Sequence, residues 1–371
     1  MSDIEIQTLI QDGNLLDTPE PDASSYIVPT PEERRDHVRA LVGAGVVVAV
    51  VVMGGVSLGW NTAPTPAVAG NQIQQVVAIV DTPSQPSTPN PYTTLALKGK
   101  AFVVYDVRAD RQLFAHNPAE PRPLASLTKI MTSLVAVESA DMKTRLAISD
   151  YAIDTEGDSG LFANETWKLG DLISFTMLTS SNDGADAIAT VVGGLFETTP
   201  KTAPAYEQAD TFVEHMNTRA QELKLVHTSY RNATGLDEPN GGEGGVGSAE
   251  DMAKLLAYTW EHAPEAVAGT TQRTHTYVSE DGFTHVGENT NEYVYTTPGM
   301  LASKTGYTDN AGGNLAILYN SGLDHPIAIV VLGSTVDGRF TDVQQLVDAT
   351  YKYIKSGWYA YEVAGSSRES L

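Results

Sequence analysis

Ser126-Leu127-Thr128-Lys129-Ile130-Met131 sets a hydroxyl and an amine three residues apart at the head of an apolar stretch. Leu127, Ile130, Met131, Leu134 and Val135 recur at helical spacing, which predicts a buried helix with Ser126 and Lys129 on one face of its first turn. Serine chemistry needs such a neighbour. The hydroxyl is a poor nucleophile until a base takes its proton, and an amine can be that base only if its pKa is lowered. A helix N-terminus disfavours the ammonium form and offers N–H groups to a developing oxyanion. The spacing alone decides little, because 24 serines and 11 lysines in 371 residues give about 0.7 Ser-x-x-Lys pairs by chance.

Composition narrows the classes. A chain of 371 residues with 42% hydrophobic content holds one large domain or two small ones with an ample core. The net charge of -23 argues against nucleic acid as a partner. There are no cysteines, which excludes disulfides, thiolate metal sites and cysteine nucleophiles. The eight histidines lack ligand spacing, so no metal or other cofactor is expected.

Along the chain, residues 1–37 read as a disordered acidic tail, with nine acidic side chains before residue 37. Residues 38–60 read as a transmembrane signal anchor. The 21 residues from Ala40 to Trp60 carry no charge, and at 1.5 Å each they extend about 31 Å, enough to cross a bilayer core. Arg34, Arg35 and Arg39 precede the span and no basic residue follows until Lys98. The expected orientation is therefore N-terminus in the cytoplasm and the rest of the chain outside, at the cell membrane. A buried soluble helix, or a signal peptide cleaved after Ala67-Val68-Ala69, is the rival reading. Residues 61–92, rich in Pro, Thr, Ser, Gln and Asn, read as an extended spacer.

The remainder, 93–371, has a globular pattern. Ala101–Tyr105 and Gln112–His116 flank Arg108-Ala109-Asp110 and predict a β-hairpin. Residues 141–250 predict helices and loops, with Gly235–Gly247, which contains six glycines, as a loop. Ser248 and Asp251 predict a capping box. Leu301–Tyr307, Asn314–Tyr319 and Pro326–Leu332 predict an antiparallel meander, followed by a helix with Val343, Leu346, Val347, Tyr351 and Ile354. The order implies an α+β fold: one antiparallel sheet flanked by helices, with an inserted helical lobe.

Two more motifs strengthen the first. Ser180-Ser181-Asn182 falls at a predicted helix end, and Lys304-Thr305-Gly306 lies on a predicted strand, where glycine admits close backbone approach. About 0.1 Lys-Thr-Gly triplets are expected by chance. Ser-x-x-Lys, Ser-x-Asn and Lys-Thr-Gly in this order resemble the penicillin-recognising serine acyltransferases. Over residues 93–357 the chain is similar to the low-molecular-mass penicillin-binding proteins, the serine-type D-alanyl-D-alanine carboxypeptidases of peptidase family S11. The segments 123–132, 231–237, 251–253 and 304–312 carry the resemblance beyond the motifs.

The resemblance implies a β-lactamase/transpeptidase-like fold and an acyl-enzyme on Ser126. Lys129 would be the acylation base, its pKa lowered by a nearby Lys304. Ser180 would relay a proton to the leaving amine, and Asn182 would hold the substrate amide and Lys129. Backbone N–H groups of Ser126 and Tyr307 would form the oxyanion hole. Lys304, Thr305 and Gly306 would receive the terminal carboxylate, with Arg339 nearby. The implied substrate is a peptidoglycan stem peptide ending in D-Ala-D-Ala, and the implied inhibitors are β-lactams.

The chain departs from the family where Ser181 replaces the usual glycine, which is expected to narrow the cleft. The β-rich second domain and C-terminal amphipathic anchor of many relatives are expected to be missing, and the N-terminal span to anchor the chain instead. No loop near 200–240 matches the deacylating device of class A β-lactamases. An endopeptidase, a β-lactamase of the same fold and a non-catalytic wall-peptide-binding module are the alternatives.

Overall fold

The structure is a computed structural model that describes residues 84–322 and 324–369. The expected tail, the membrane anchor and the spacer up to residue 83 lie outside the described residues. Among the described residues, no helix is long and apolar enough to cross a membrane.

The expected hairpin is present as β1 (Ala101–Asp106) and β2 (Arg111–His116). The short strand β3 (Arg122–Pro123) leads into a 3-10 turn, Ala125–Thr128, and helix α1 (Lys129–Ser139). Ser126 therefore lies in the 3-10 turn rather than in the first α-helical turn, which begins at Lys129. The helical lobe continues through β4 (Arg145–Ala147), α2 (Asp150–Ile153), β5 (Thr166–Lys168), α3 (Leu169–Thr179), α4 (Asn182–Gly193) and α5 (Ala205–Glu222). Strands β6 (Ser229–Tyr230) and β7 (Gly245–Gly247) precede α6 (Ala249–His262). A hairpin, β8 (Thr274–Val278) and β9 (Thr284–Glu288), leads to the meander β10 (Met300–Thr308), β11 (Gly312–Asn320) and β12 (Pro326–Ser334). Helices α7 (Gly338–Lys355) and α8 (Trp358–Glu369) follow.

The main sheet is antiparallel in the order β10-β11-β12-β1-β2. Strands β1, β11 and β12 are apolar at every position of their centres, because both faces are covered. Ala101, Val103, Tyr105, Ala316, Leu318, Ala328, Val330 and Leu332 pack against the helical lobe. The alternate residues Phe102, Val104, Leu315, Ile317, Ile329 and Val331 pack against Phe340, Val343, Leu346 and Val347 of α7. Between the layers α1 buries Ile130, Met131, Leu134 and Val135 to 4% exposure or less, so the nucleophile helix is central.

Several expectations need correction. The glycine-rich stretch ends in strand β7, whose backbone pairs with both β3 and β6. Segment 141–250 therefore contains short ladders as well as helices and loops. Only half of the capping box forms: Ser248 Oγ accepts from Asp251 N–H, whereas the Asp251 carboxylate accepts from His227 N–H and the Thr228 hydroxyl. The packed body also begins before residue 93. Tyr92 is buried, stacks on Phe114 at 4.7 Å between ring centroids and donates to Thr350 Oγ1. The β8–β9 hairpin and α8 are additions that the sequence patterns did not suggest.

Candidate active site

The cleft lies where the nucleophile turn, the junction of α3 and α4, and edge strand β10 meet. Ala125, one residue before Ser126, has φ 48°, a left-handed conformation that costs a non-glycine residue about 1 kcal/mol or more. The turn is held in place by its neighbours. The fully buried Asn314 of β11 donates to the carbonyls of both Pro123 and Leu124, and its own oxygen accepts from Gly333 N–H. Gly235, at φ +80°, presses so close that a Cβ there would lie 1.9 Å from Ala125 O.

Lys129 is fully buried, and its Nζ has three oxygen neighbours: Ser126 Oγ at 2.9 Å, Asn182 Oδ1 at 2.7 Å and the Thr234 carbonyl at 2.7 Å. None of these is a carboxylate. Burial drives the Lys129 pKa from 10.5 down to about 7, against the opposing pull of the Asp186 and Asp183 carboxylates. Burial is the largest cause at both amines; the expected Lys129–Lys304 repulsion is secondary to it, and with Arg339 it further destabilises the Lys304 ammonium.

The three contacts fix the polarity of the amine. Two of them, the Asn182 and Thr234 oxygens, belong to carbonyls and can only accept. A neutral amine has two N–H groups, which those carbonyls take up. Its lone pair is then left facing the Ser126 hydroxyl, the geometry of a general base.

Ser180 caps α3 in the left-handed region, φ 64°, and Asn182 opens α4. The Ser180 hydroxyl accepts from Lys304 Nζ at 2.9 Å, so its bond runs to Lys304 rather than to Lys129. Lys304 also donates to the Thr305 carbonyl at 2.9 Å. Thr305 shares a 2.6 Å hydrogen bond with the hydroxyl of Thr290. Arg339, at the start of α7, donates to the Gly306 carbonyl at 2.8 Å, and burial lowers its pKa. Tyr307 is 51% exposed, and its hydroxyl donates to Asp309 Oδ1.

Strand β10 is the sheet edge beside Ser126. A Cβ on Gly306 would lie 2.8 Å from Leu124 O and 3.2 Å from Ser126 N, so glycine is what permits this approach. Ser303 N–H points away from β11 to Thr270 Oγ1. Since N–H groups alternate sides along a strand, those of Thr305 and Tyr307 also point away from β11, toward the cleft. The nine expected site residues thus form one locale: a Ser126–Lys129–Asn182 cluster, a Ser180–Lys304–Thr305 cluster, and Gly306, Tyr307 and Arg339 alongside.

The profile of the peptidase S11 family, described as D-alanyl-D-alanine carboxypeptidase, matches residues 84–335. The chain belongs to the D-alanyl-D-alanine carboxypeptidase family. It is 31% identical over 271 residues to the D-alanyl-D-alanine carboxypeptidase DacF of Bacillus subtilis, covering 69% of this chain and 63% of that protein. A D-alanyl-D-alanine endopeptidase of Escherichia coli is 26% identical over 247 residues, which cover 66% of this chain and 73% of the relative. Among solved structures, a penicillin-binding protein homologue of Mycobacterium tuberculosis superposes with a TM-score of 0.62 at 21% identity, over 72% of this chain and 96% of that one. Penicillin-binding protein D2 of Listeria monocytogenes, bound to cefotaxime, gives a TM-score of 0.57 at 25% identity, over 71% and 99%. The described residues therefore have the penicillin-binding, β-lactamase-like fold. The membrane-anchor expectation is untouched by these matches.

Within this family member, three groups at the site escaped sequence reading: the Thr234 carbonyl on Lys129, the Glu156 carbonyl on Asn182 Nδ2, and Asn314 behind the nucleophile turn. Thr234 lies in the segment 231–237 that carries the resemblance, and Asn314 heads a predicted strand, whereas nothing in the sequence pointed to Glu156.

Proposed function

We propose that this chain is a membrane-tethered serine DD-carboxypeptidase that removes the terminal D-alanine from stem peptides ending in D-Ala-D-Ala. One observation carries the reading: Lys129 is a buried amine set between Ser126 Oγ and two carbonyl oxygens, so that its neutral form, giving both N–H groups to the carbonyls, turns its lone pair to Ser126. Lys129 accepts the Ser126 proton as Oγ bonds to the carbonyl carbon of the penultimate D-alanine. The resulting oxyanion is received by the N–H groups of Ser126 and Tyr307, a kind of contact whose loss costs about 3 kcal/mol. When the C–N bond breaks, the departing D-alanine nitrogen takes the Ser180 proton, which the Lys304 ammonium replaces across its 2.9 Å hydrogen bond. Water then attacks the Ser126 ester and its proton returns through Ser180 to Lys304, while the Lys129 ammonium gives its proton to the departing Ser126 oxygen and regenerates the hydroxyl.

The substrate carboxylate is received at Lys304, Thr305 and Arg339. An anion arriving there favours the Lys304 ammonium, so burial that disfavours the charge in the empty cleft is offset when substrate binds. The uncharged run 40–60 behind three arginines supports an N-terminal tether, with the catalytic domain outside the cell membrane and residues 61–92 as its spacer. β-Lactams would acylate the same serine.

Ser126→Ala is expected to abolish both D-alanine release from a D-Ala-D-Ala pentapeptide and covalent labelling by a fluorescent penicillin. Persistence of either rejects Ser126 as the nucleophile. A relative named as an endopeptidase supports a second reading, cleavage of D-alanyl cross-links. Mass spectrometry of a cross-linked dimer beside the pentapeptide separates the two, and a short acyl-enzyme lifetime with penicillin would indicate a β-lactamase.

A further inference from the structure

Asn182 must present its oxygen to Lys129, since a flipped amide would oppose N–H to N–H. The far end of the amide fixes this polarity: Nδ2 donates to the Glu156 carbonyl at 2.7 Å. Glu156 belongs to segment 154–160, which is fastened to the first turns of α4 at three places. Besides the Asn182 bond, Ser159 N–H donates to Asp183 Oδ2 at 3.1 Å, and the Thr155 hydroxyl donates to Asp186 Oδ2 at 2.6 Å. Asn182 and Asp186 are i, i+4 neighbours on one helix face. Asp186 is only 8% exposed, and Thr155 is its one side-chain hydrogen-bond partner among the described residues. A Cβ on Gly157, which has φ +97°, would lie 3.0 Å from Asn182 Nδ2, close enough to press on the amide.

We propose that Thr155, gripped by Asp186, is a positioning residue for acylation: it holds the Glu156 carbonyl where that carbonyl keeps the Asn182 oxygen on Lys129. Thr155 touches neither nucleophile nor base and acts through Asn182. The inference rests on the assignment of Ser126 and Lys129 as nucleophile and base.

The test follows penicillin acylation of the full chain, separating the non-covalent Kd from the first-order acylation rate, with Tm recorded for each variant. Thr155→Val keeps the shape and removes the donor; it is expected to slow acylation about tenfold with Kd unchanged, and to lower Tm by a few degrees because the buried Asp186 carboxylate loses its partner. Thr155→Ser restores the rate to within about twofold, and adding Asp186→Ala to Thr155→Val slows it no further than the slower single variant. Gly157→Ala, which leaves the Thr155–Asp186 bond in place but crowds the amide, is expected to slow acylation as well. Acylation of Thr155→Val at the wild-type rate overturns the proposal. So do losses that multiply in the double variant, or a Tm lowered so far that unfolding accounts for the slower rate. Wild-type protein that fails to label at all would instead sink the reading of Ser126 itself.

Discussion

At the scale of the residue, burial decides the chemistry. At pH 7 an unshifted lysine is neutral in about one molecule in 3,000. With the Lys129 pKa at about 7, roughly half of the molecules carry the working base. The sign follows directly: the neutral amine is the active form, so acylation is lost as pH falls through the folded pKa. Penicillin acylation measured from pH 5 to 9 is expected to rise with a midpoint near 7 and to drop about tenfold per unit on the acid side. A midpoint above pH 9 would mean that the Asp186 and Asp183 carboxylates outweigh burial. Ser126, Lys129, Ser180, Asn182 and Lys304 were legible because the chemistry resides in their side chains and the spacings are restrictive. The Thr234 and Glu156 carbonyls were not, since every residue carries a carbonyl and only the fold selects which one is used.

At the scale of the element, β10 ties the sheet to the nucleophile turn. Its edge is open to the cleft, and Gly306 sets the separation from Leu124 and Ser126. Gly306→Ala would force the strand off the turn, since the atom in the way is the Leu124 backbone oxygen rather than a movable side chain. Because reacting groups misplaced by about 1 Å can lose a hundredfold in rate, acylation is expected to fall at least tenfold, to about that extent at most. Kinetics of penicillin labelling check this, and a rate within about twofold of wild type would show that the N–H groups of Ser126 and Tyr307 tolerate the wider gap. The meander containing β10 was legible from its apolar runs. The β8–β9 hairpin was not, because its strands bury few positions, Tyr277 on one and His285 and Gly287 on the other, and its valines, Val278 and Val286, are exposed, so no apolar run marks it. Its contribution comes from tertiary contacts: Thr290, just past β9, donates its N–H to Leu178 O beside Ser180 and bonds Thr305.

At the scale of the molecule, the expected arrangement of sheet, helices and inserted lobe is present, and the two faces of the sheet show why its strands read as continuous apolar runs. The domain start was misplaced because residues 84–94 have the composition of a spacer, and only the packing of Tyr92 on Phe114 and of Trp358 on Thr88 O reveals their place in the fold. This position has a testable consequence. Among the described residues, every hydrogen bond that builds the site lies between Pro123 and Arg339, and both apolar clusters lie between Tyr92 and Tyr359. A chain lacking residues 1–83 is therefore expected to keep its penicillin acylation rate within about twofold, and its Tm within a few degrees, since the site and both clusters are built from residues after 83. Removing residues 1–94 deletes Tyr92, whose ring stacks on Phe114 and packs on Tyr353, and is expected to cost about 3 kcal/mol or more, as large-to-small aromatic substitutions in cores do. Thermal melts of the two truncations decide it: equal melting temperatures would show that 84–94 is spacer after all, whereas a drop confined to the shorter chain places the start of the folding unit at or before Tyr92.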